Sequence, residues 1–311
     1  MDKLYDIAII GAGPAGLSAG IYAGRARLSA LIIEQAQEGG QITATAQIEN
    51  YPGGEAGETG MALAKRMAEQ ARSFGAEFAW DTIAGASLAG EVKRLRGGMG
   101  EYAAKTVILA GGTQPRRLGC PGEKEFTGRG VSYCATCDGR FFRERDIYVV
   151  GGGDSAASEA LYLARFGRKV TIIHRRDALR AVKSLQEQVL ANPKLRVLWD
   201  SEVEALGGEG MLQRITVRNI KTGARTTFAA QEPGEAIGLF CFVGMDPQTA
   251  PYVGEVQMER GYILADADMR TNIPGVFAAG DIRKKSLRQV VTAVADGAIA
   301  AVQAEKYLSE S

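Results

Sequence analysis

The stretch that decides the fold is Tyr5-Asp6-Ile7-Ala8-Ile9-Ile10-Gly11-Ala12-Gly13-Pro14-Ala15-Gly16. Its Ile-rich first half reads as a buried strand, and Gly11 to Gly16 keep the spacing G-x-G-x-x-G. Gly11 permits the sharp turn, Gly13 lets the backbone approach a pyrophosphate, and Gly16 lets the next helix lie close to the strand. Pro14 and Ala15 open an Ala-rich segment that reads as that helix. Its N-terminus offers N–H groups and the positive end of a dipole to an anion. A second apolar strand, Ala30-Leu31-Ile32-Ile33, ends on Glu34, an acid placed to accept hydrogen bonds from an adenosine ribose.

The pattern recurs. Asp146 to Val150 reads as a strand, Gly151-Gly152-Gly153-Asp154-Ser155-Ala156 as the glycine turn and helix start, and Lys169-Val170-Thr171-Ile172-Ile173 as the next strand. The interval from Gly11 to Glu34 equals that from Gly151 to His174. At the matching position the first copy has a carboxylate, whereas the second has His174-Arg175-Arg176, followed by Arg180. A carboxylate suits a free ribose hydroxyl and repels a 2′-phosphate; arginines suit that phosphate. The first site is therefore expected to hold FAD or NAD, and the second NADP(H). One such fingerprint alone is a weak signal; two in one register with opposite charge at the same place are specific.

The 311 residues suffice for two domains, and 46% hydrophobic with 23% charged residues is ordinary for a globular protein. A net charge of +1 supplies no basic field to hold nucleic acid or a membrane surface. No apolar run is long enough to span a bilayer. Met1 to Tyr5 run directly into the first strand, so no secretory signal is expected, and the expected location is the cytoplasm. Structural disulfides are rare there, so the four cysteines need another explanation. The single histidine excludes a His-based zinc site and argues against a Ser-His-Asp triad.

Cys134-Ala135-Thr136-Cys137 is a C-x-x-C followed by Asp138. Such a pair is either a redox dithiol or half of a zinc site. The remaining candidate ligands, Cys120, Cys241 and His174, lack ligand spacing, so no metal is expected. Cys241 lies in the apolar run Leu239 to Val243 and reads as a core thiol; Cys120, before Pro121-Gly122, receives no role. A dithiol beside flavin and nicotinamide sites gives an electron path: nicotinamide to flavin, flavin to disulfide, dithiol to a substrate disulfide. Asp138 is the nearest ionisable group to serve as proton donor, or else a helix or turn cap.

With these motifs in place, the chain resembles the bacterial-type thioredoxin reductases of the pyridine nucleotide-disulfide oxidoreductase family over nearly its whole length. The resemblance rests on Gly11 to Gly16, Gly39-Gly40-Gln41, Ile48 to Gly53, Cys134 to Gly139, Gly151 to Ala156, His174 to Arg180, Val276 to Asp281 and Leu287 to Ala300. It implies that Glu34 binds the FAD ribose, that Gln41 and Asn50 lie near the flavin, that Asp281 binds the ribityl chain and that Gln289 sits beside the isoalloxazine ring. Gly40, Gly280, Arg288 and Val290 join that set. It implies that Cys137 faces the flavin, that Cys134 attacks thioredoxin, that Asp138 is the general acid, and that the protein is a homodimer. One departure stands out: Gly244-Met245-Asp246-Pro247 replaces the Gly-His-Ser-Pro of many relatives, so a proton-relay histidine there is lacking. Arg140 before Phe141-Phe142 is also unusual and bears on partner docking.

The expected fold is α/β with two Rossmann-like domains. The FAD domain is discontinuous, residues 1–112 and 244–311, and the NADPH domain, 113–243, is inserted in it and carries the C-x-x-C. The crossings fall at Gly111-Gly112 and Gly244. Dithiol and nicotinamide site on one body must take turns at one flavin, which implies domain rotation. A reductase serving a peroxiredoxin-linked or glutaredoxin-like partner would share every motif. An oxygen-using dithiol oxidase would not need His174-Arg175-Arg176. A non-catalytic redox sensor binding FAD is the alternative from another class.

Overall fold

The chain folds twice into the same plan, each time starting from a strand buried on both faces. The computed structural model describes residues 3–45, 48, 50–232 and 234–310. The first strand, β1 (Leu4–Ile10), is followed by α1 (Pro14–Arg25), β2 (Ala30–Glu34), α2 (Gly60–Ser73) and β3 (Glu77–Trp80). An antiparallel meander then runs through β4 (Ile83–Ser87), β5 (Lys93–Gly97) and β6 (Glu101–Leu109). Strand order is β3-β2-β1-β6-β5-β4. Ile7, Ile9 and Ile32 pack on one face of the sheet, and Ala8, Ile10, Leu31 and Ile33 on the other. This is why β1 and β2 read as continuous apolar runs. Each fully buried Ile contributes about 1.5–3 kcal/mol.

After β7 (Thr113–Pro115) and the short α3 (Glu123–Phe126), β8 (Val131–Ser132) leads into α4 (Ala135–Asp138). The plan then repeats: β9 (Asp146–Val150), α5 (Asp154–Leu163), β10 (Lys169–Ile173), α6 (Lys183–Ala191) and β11 (Leu195–Leu198). An antiparallel sheet of β12 (Ser201–Gly207), β13 (Arg214–Asn219) and β14 (Arg225–Ala229) follows, then β15 (Gly238–Cys241). The parallel sheet has the order β11-β10-β9-β15-β8. In each sheet the first strand of the fingerprint is central and the next two fan out to one side, the Rossmann arrangement.

The chain continues through β16 (Met245–Pro247), which pairs with β7, and the hairpin of β17 (Met258–Glu259) and β18 (Tyr262–Ile263). Then β19 (Val276–Ala278) joins β6 in parallel, beyond the point where β5 stops pairing with it. Last comes α7 (Val290–Glu310), packed on α1. Gly297 of α7 permits that packing: a Cβ there would overlap the backbone oxygen of Ala15. Ser18 Oγ donates to Val294 O at 2.8 Å across the same seam. The whole divides into two compact units, Met1–Gln114 with Asp246–Ser311, and Pro115–Met245. Among the described residues no helix is long and apolar enough to cross a membrane.

Candidate active site

In the first unit, Gly11 has φ +106°, and a Cβ there would stand 2.5 Å from Ala110 O. Only glycine combines that dihedral with that approach. Gly13, by contrast, faces open space: no atom lies within 4 Å of where its Cβ would be. It is the N-cap of α1 and provides no side-chain cap, and Pro14 occupies the first turn. The N–H groups of that turn are left for a ligand. Glu34 is buried; its Oε2 accepts from Ala12 N at 2.7 Å and its Oε1 from Ala36 N at 3.0 Å. The carboxylate thus braces the glycine turn from beneath, which the sequence did not reveal. Gly39 N donates to Ala12 O at 2.7 Å, which brings Gly40 over Gly13.

The C-terminal elements meet the same helix start. Gly280 has φ +78°, and a Cβ on it would stand 2.9 Å from Cβ of Ala15. Gly280 N donates to Asp296 Oδ2 at 3.0 Å, and Lys285 and Arg283 pair with that carboxylate at 2.7 and 3.3 Å. None of these three charged groups is conspicuous in sequence. Asp281 follows, and its Oδ1 is buried with no hydrogen-bond partner among the described residues. Burial pushes its carboxyl above the usual range and Asp296 adds to this, while Lys285 and Arg288 oppose it. The Arg288 guanidinium lies over the Tyr262 ring at 4.4 Å, its Nε likewise buried and unpartnered. Asn50 Nδ2 donates to Gln289 Oε1 at 3.1 Å, joining two residues far apart in sequence. Gln41 Nε2 donates to Thr113 O at 2.7 Å. Val290 begins α7. An open glycine face at a helix N-terminus, a buried acid at the end of β2 and an orphaned carboxylate oxygen fit the pyrophosphate, adenosine and polyol parts of FAD.

The second unit repeats the device with a different lining. Gly151 has φ +146°, and a Cβ there would stand 2.6 Å from Phe242 O. Gly153, the N-cap of α5, faces open space as Gly13 does. Asp154 Oδ1 accepts from Val182 N at 2.7 Å; Ser155 is exposed and Ala156 buried beneath the turn. His174 is 4% exposed and packs where a Cβ of Gly152 would stand, with Nε2 3.1 Å from Ala178 O. Burial lowers its pKa, and Arg180, Arg176 and Arg175 add to this. In the sequence His174 opens the basic segment expected at the NADP(H) site; in the structure its ring underlies the glycine turn. Arg175, Arg176 and Arg180 are exposed, and none forms an ion pair among the described residues. Arg180 N donates to Gly152 O at 2.6 Å, which ties the basic segment to the turn. Exposed, unneutralised guanidinium groups beside an open glycine turn fit a phosphorylated ribose.

Cys134 and Cys137 are joined in a disulfide, with Cys134 the N-cap of α4. Asp138 ends that turn. Its Oδ2 accepts from Ser132 Oγ at 2.6 Å, and its Oδ1 is buried without a partner among the described residues. Burial raises its carboxyl pKa, with the Ser132 hydroxyl opposing. Its side chain makes no cap hydrogen bond to the following turn, so the cap reading falls away. A buried carboxyl with a raised pKa, next in the chain to a disulfide cysteine, can give a proton to a leaving sulfur. Ser132 escaped the sequence reading. Cys241 is buried and Cys120 partly so; burial pushes the thiol of Cys241 well up and that of Cys120 to about 11.

Two glycine-turn nucleotide sites and a disulfide with a buried acid define a class, and the comparisons agree: the chain belongs to the pyridine nucleotide-disulphide oxidoreductase family, whose model matches residues 5–297. It is similar to the thioredoxin reductase of Peptoclostridium acidaminophilum, 52% identical over 99% of this chain and 98% of that one. That of Bacillus subtilis is 46% identical over 99% of this chain and 96% of its own length. The solved thioredoxin reductase of Streptococcus pyogenes covers both chains completely, with a TM-score of 0.92 at 46% identity. That of Lactococcus lactis, described as being in the FR conformation, gives 0.69 at 44% identity over 99% of this chain and 100% of its own.

Proposed function

We propose that this chain reduces the disulfide of thioredoxin with electrons from NADPH, carried through FAD and the Cys134–Cys137 pair. The observation that carries this reading is the disulfide with its buried acid in the unit that also holds the arginine-lined glycine turn. Residues 1–114 and 246–311 are assigned to FAD and residues 115–245 to NADPH. Gly11, Gly13, Ala15, Gly16 and Gly40 receive the pyrophosphate. Glu34 receives the adenosine ribose, and Asp281 the ribityl chain. Arg175, Arg176 and Arg180 hold the 2′-phosphate. When bound, the flavin would supply the relay of two electrons from the nicotinamide to the Cys134–Cys137 disulfide.

The chain's own chemistry is then thiol–disulfide exchange. The Cys134 thiolate bonds to one sulfur of the partner disulfide, and the other sulfur leaves with the electron pair and takes a proton from Asp138. The Asp138 carboxylate next takes the thiol proton of Cys137 as that sulfur attacks Cys134. The enzyme disulfide re-forms, and the partner's first sulfur leaves and is protonated by solvent. Because dithiol and nicotinamide site lie in one unit, we assign the alternation between them to rotation at Gly112 (φ +67°) and Gly244 (φ +130°). A cytoplasmic homodimer completes the reading.

The test is NADPH oxidation by the flavin-loaded protein with thioredoxin, compared with Cys134→Ser and Cys137→Ser. Turnover with thioredoxin is expected in the wild type alone, and anaerobic flavin bleaching by NADPH in all three. Disulfide turnover by either variant would falsify the dithiol path.

A further inference from the structure

Strand β8 runs straight into the redox pair, and successive side chains leave it on opposite faces. Tyr133 turns toward the buried Glu123, its OH donating to Oε1 at 2.7 Å. Ser132, the last residue of β8, is 5% exposed. A serine hydroxyl has one proton to give and two lone pairs to offer. Cys134 N donates to Ser132 Oγ at 3.1 Å, which uses one lone pair. The single proton has two acceptors in reach, Asp138 Oδ2 at 2.6 Å and Cys134 O at 3.3 Å. The shorter bond to a potentially charged oxygen is much the stronger. Asp138 Oδ2 is therefore occupied as an acceptor, whereas Oδ1 is buried with no partner.

We propose that Ser132 is a positioning residue for the acid step: it clamps Oδ2, leaves Oδ1 as the oxygen that gives and takes the proton, and ties that carboxyl to the backbone of the attacking cysteine. This rests on the reading of Asp138 as the general acid. The proton sits on Oδ1 in the resting acid, passes from Oδ1 to the partner's departing sulfur, and returns to Oδ1 from the Cys137 thiol. Throughout, Oδ2 keeps the serine hydrogen bond, so the carboxylate formed midway is never left wholly unsolvated. With alanine at position 132 the carboxylate loses that bond, and its two oxygens become equivalent candidates for the proton.

The experiment follows the pre-reduced, flavin-loaded protein reacting with thioredoxin disulfide in stopped flow. The variants are Ser132→Ala, Ser132→Thr, Asp138→Asn and the double variant Ser132→Ala with Asp138→Asn. Flavin content and flavin bleaching by NADPH on the same samples correct for cofactor loading. Losing a hydrogen bond to a charged oxygen is expected to slow the exchange about ten- to a hundredfold in Ser132→Ala. Ser132→Thr, which keeps the hydroxyl, is expected to restore the rate to within about threefold of wild type. In the Asp138→Asn background the serine change is expected to add less than about twofold, because the two act through one bond. Equal losses from Ser132→Ala with and without Asp138 would overturn the inference and assign Ser132 to structure alone. So would a fast Ser132→Ala beside a slow Asp138→Asn, which leaves the acid standing. A fast Asp138→Asn would overturn the acid and the inference together.

Discussion

Replacing Asp281 by alanine is expected to change stability and flavin affinity in opposite directions. Oδ1 of Asp281 is buried without a partner. A buried polar atom left unsatisfied costs about 1–3 kcal/mol. In flavin-free protein, Asp281→Ala should therefore raise the unfolding free energy by roughly that amount. Burial is the main cause that raises the carboxyl pKa. A carboxyl raised on folding makes the folded protein bind more protons than the unfolded chain between the two pKa values. Its penalty is thus small below the ordinary carboxylate range and grows as pH rises through that window. The gain from the substitution should accordingly be larger near neutral pH than in mild acid. With FAD present the sign reverses. A charge-assisted hydrogen bond to a ligand hydroxyl is worth about 1.5–3 kcal/mol, so Kd should weaken about ten- to a hundredfold. Urea unfolding of flavin-free protein at two pH values and a fluorescence titration with FAD measure the two arms. A flavin-free variant less stable than wild type, or an unchanged Kd, would refute the reasoning.

Further substitutions test other parts. Arg175→Ala with Arg176→Ala should weaken NADPH far more than NADH, about tenfold or more per lost phosphate bond; an unchanged ratio of kcat/KM for the two cofactors would remove the phosphate role. Gly297→Ala should destabilise by about 1–3 kcal/mol through overpacking against Ala15 O, although Gly to Ala inside a helix ordinarily stabilises. A higher Tm for that variant would show that α7 can move off α1 at little cost.

The α/β class and the two nucleotide folds were legible because the signals are local. The glycine spacing, the apolar runs of β1, β2, β9 and β10, and the terminal acid or arginines all lie within short windows. Asn50 and Gln289 entered through family resemblance, and no pattern in the chain itself would have paired them across 239 positions. Ser132, Asp296, Lys285 and Arg283 were invisible for a physical reason. A lone serine in a strand or an acid in a helix is unremarkable until tertiary folding brings its partner within hydrogen-bond distance. His174 shows the converse. It stands where Glu34 stands in the first copy and opens a basic segment, but the bare backbone of Gly152 made room for the ring inside. A side chain's neighbours in sequence said less than the cavity a glycine leaves.

The two cysteines outside the redox pair are both kept from ionising by burial. A thiol is a nucleophile only as its thiolate. Burial pushes the thiol of Cys120 up to about 11, which keeps it in its neutral form near neutral pH. Cys241 is 3% exposed, and burial likewise pushes its thiol well up. Every catalytic cycle creates a mixed disulfide that any nearby thiolate could attack, and a wrong attack would strand the partner on a dead-end bridge. Burial makes both bystanders poor competitors, so the selectivity of the exchange rests on keeping these two thiols neutral as well as on the placement of the redox pair.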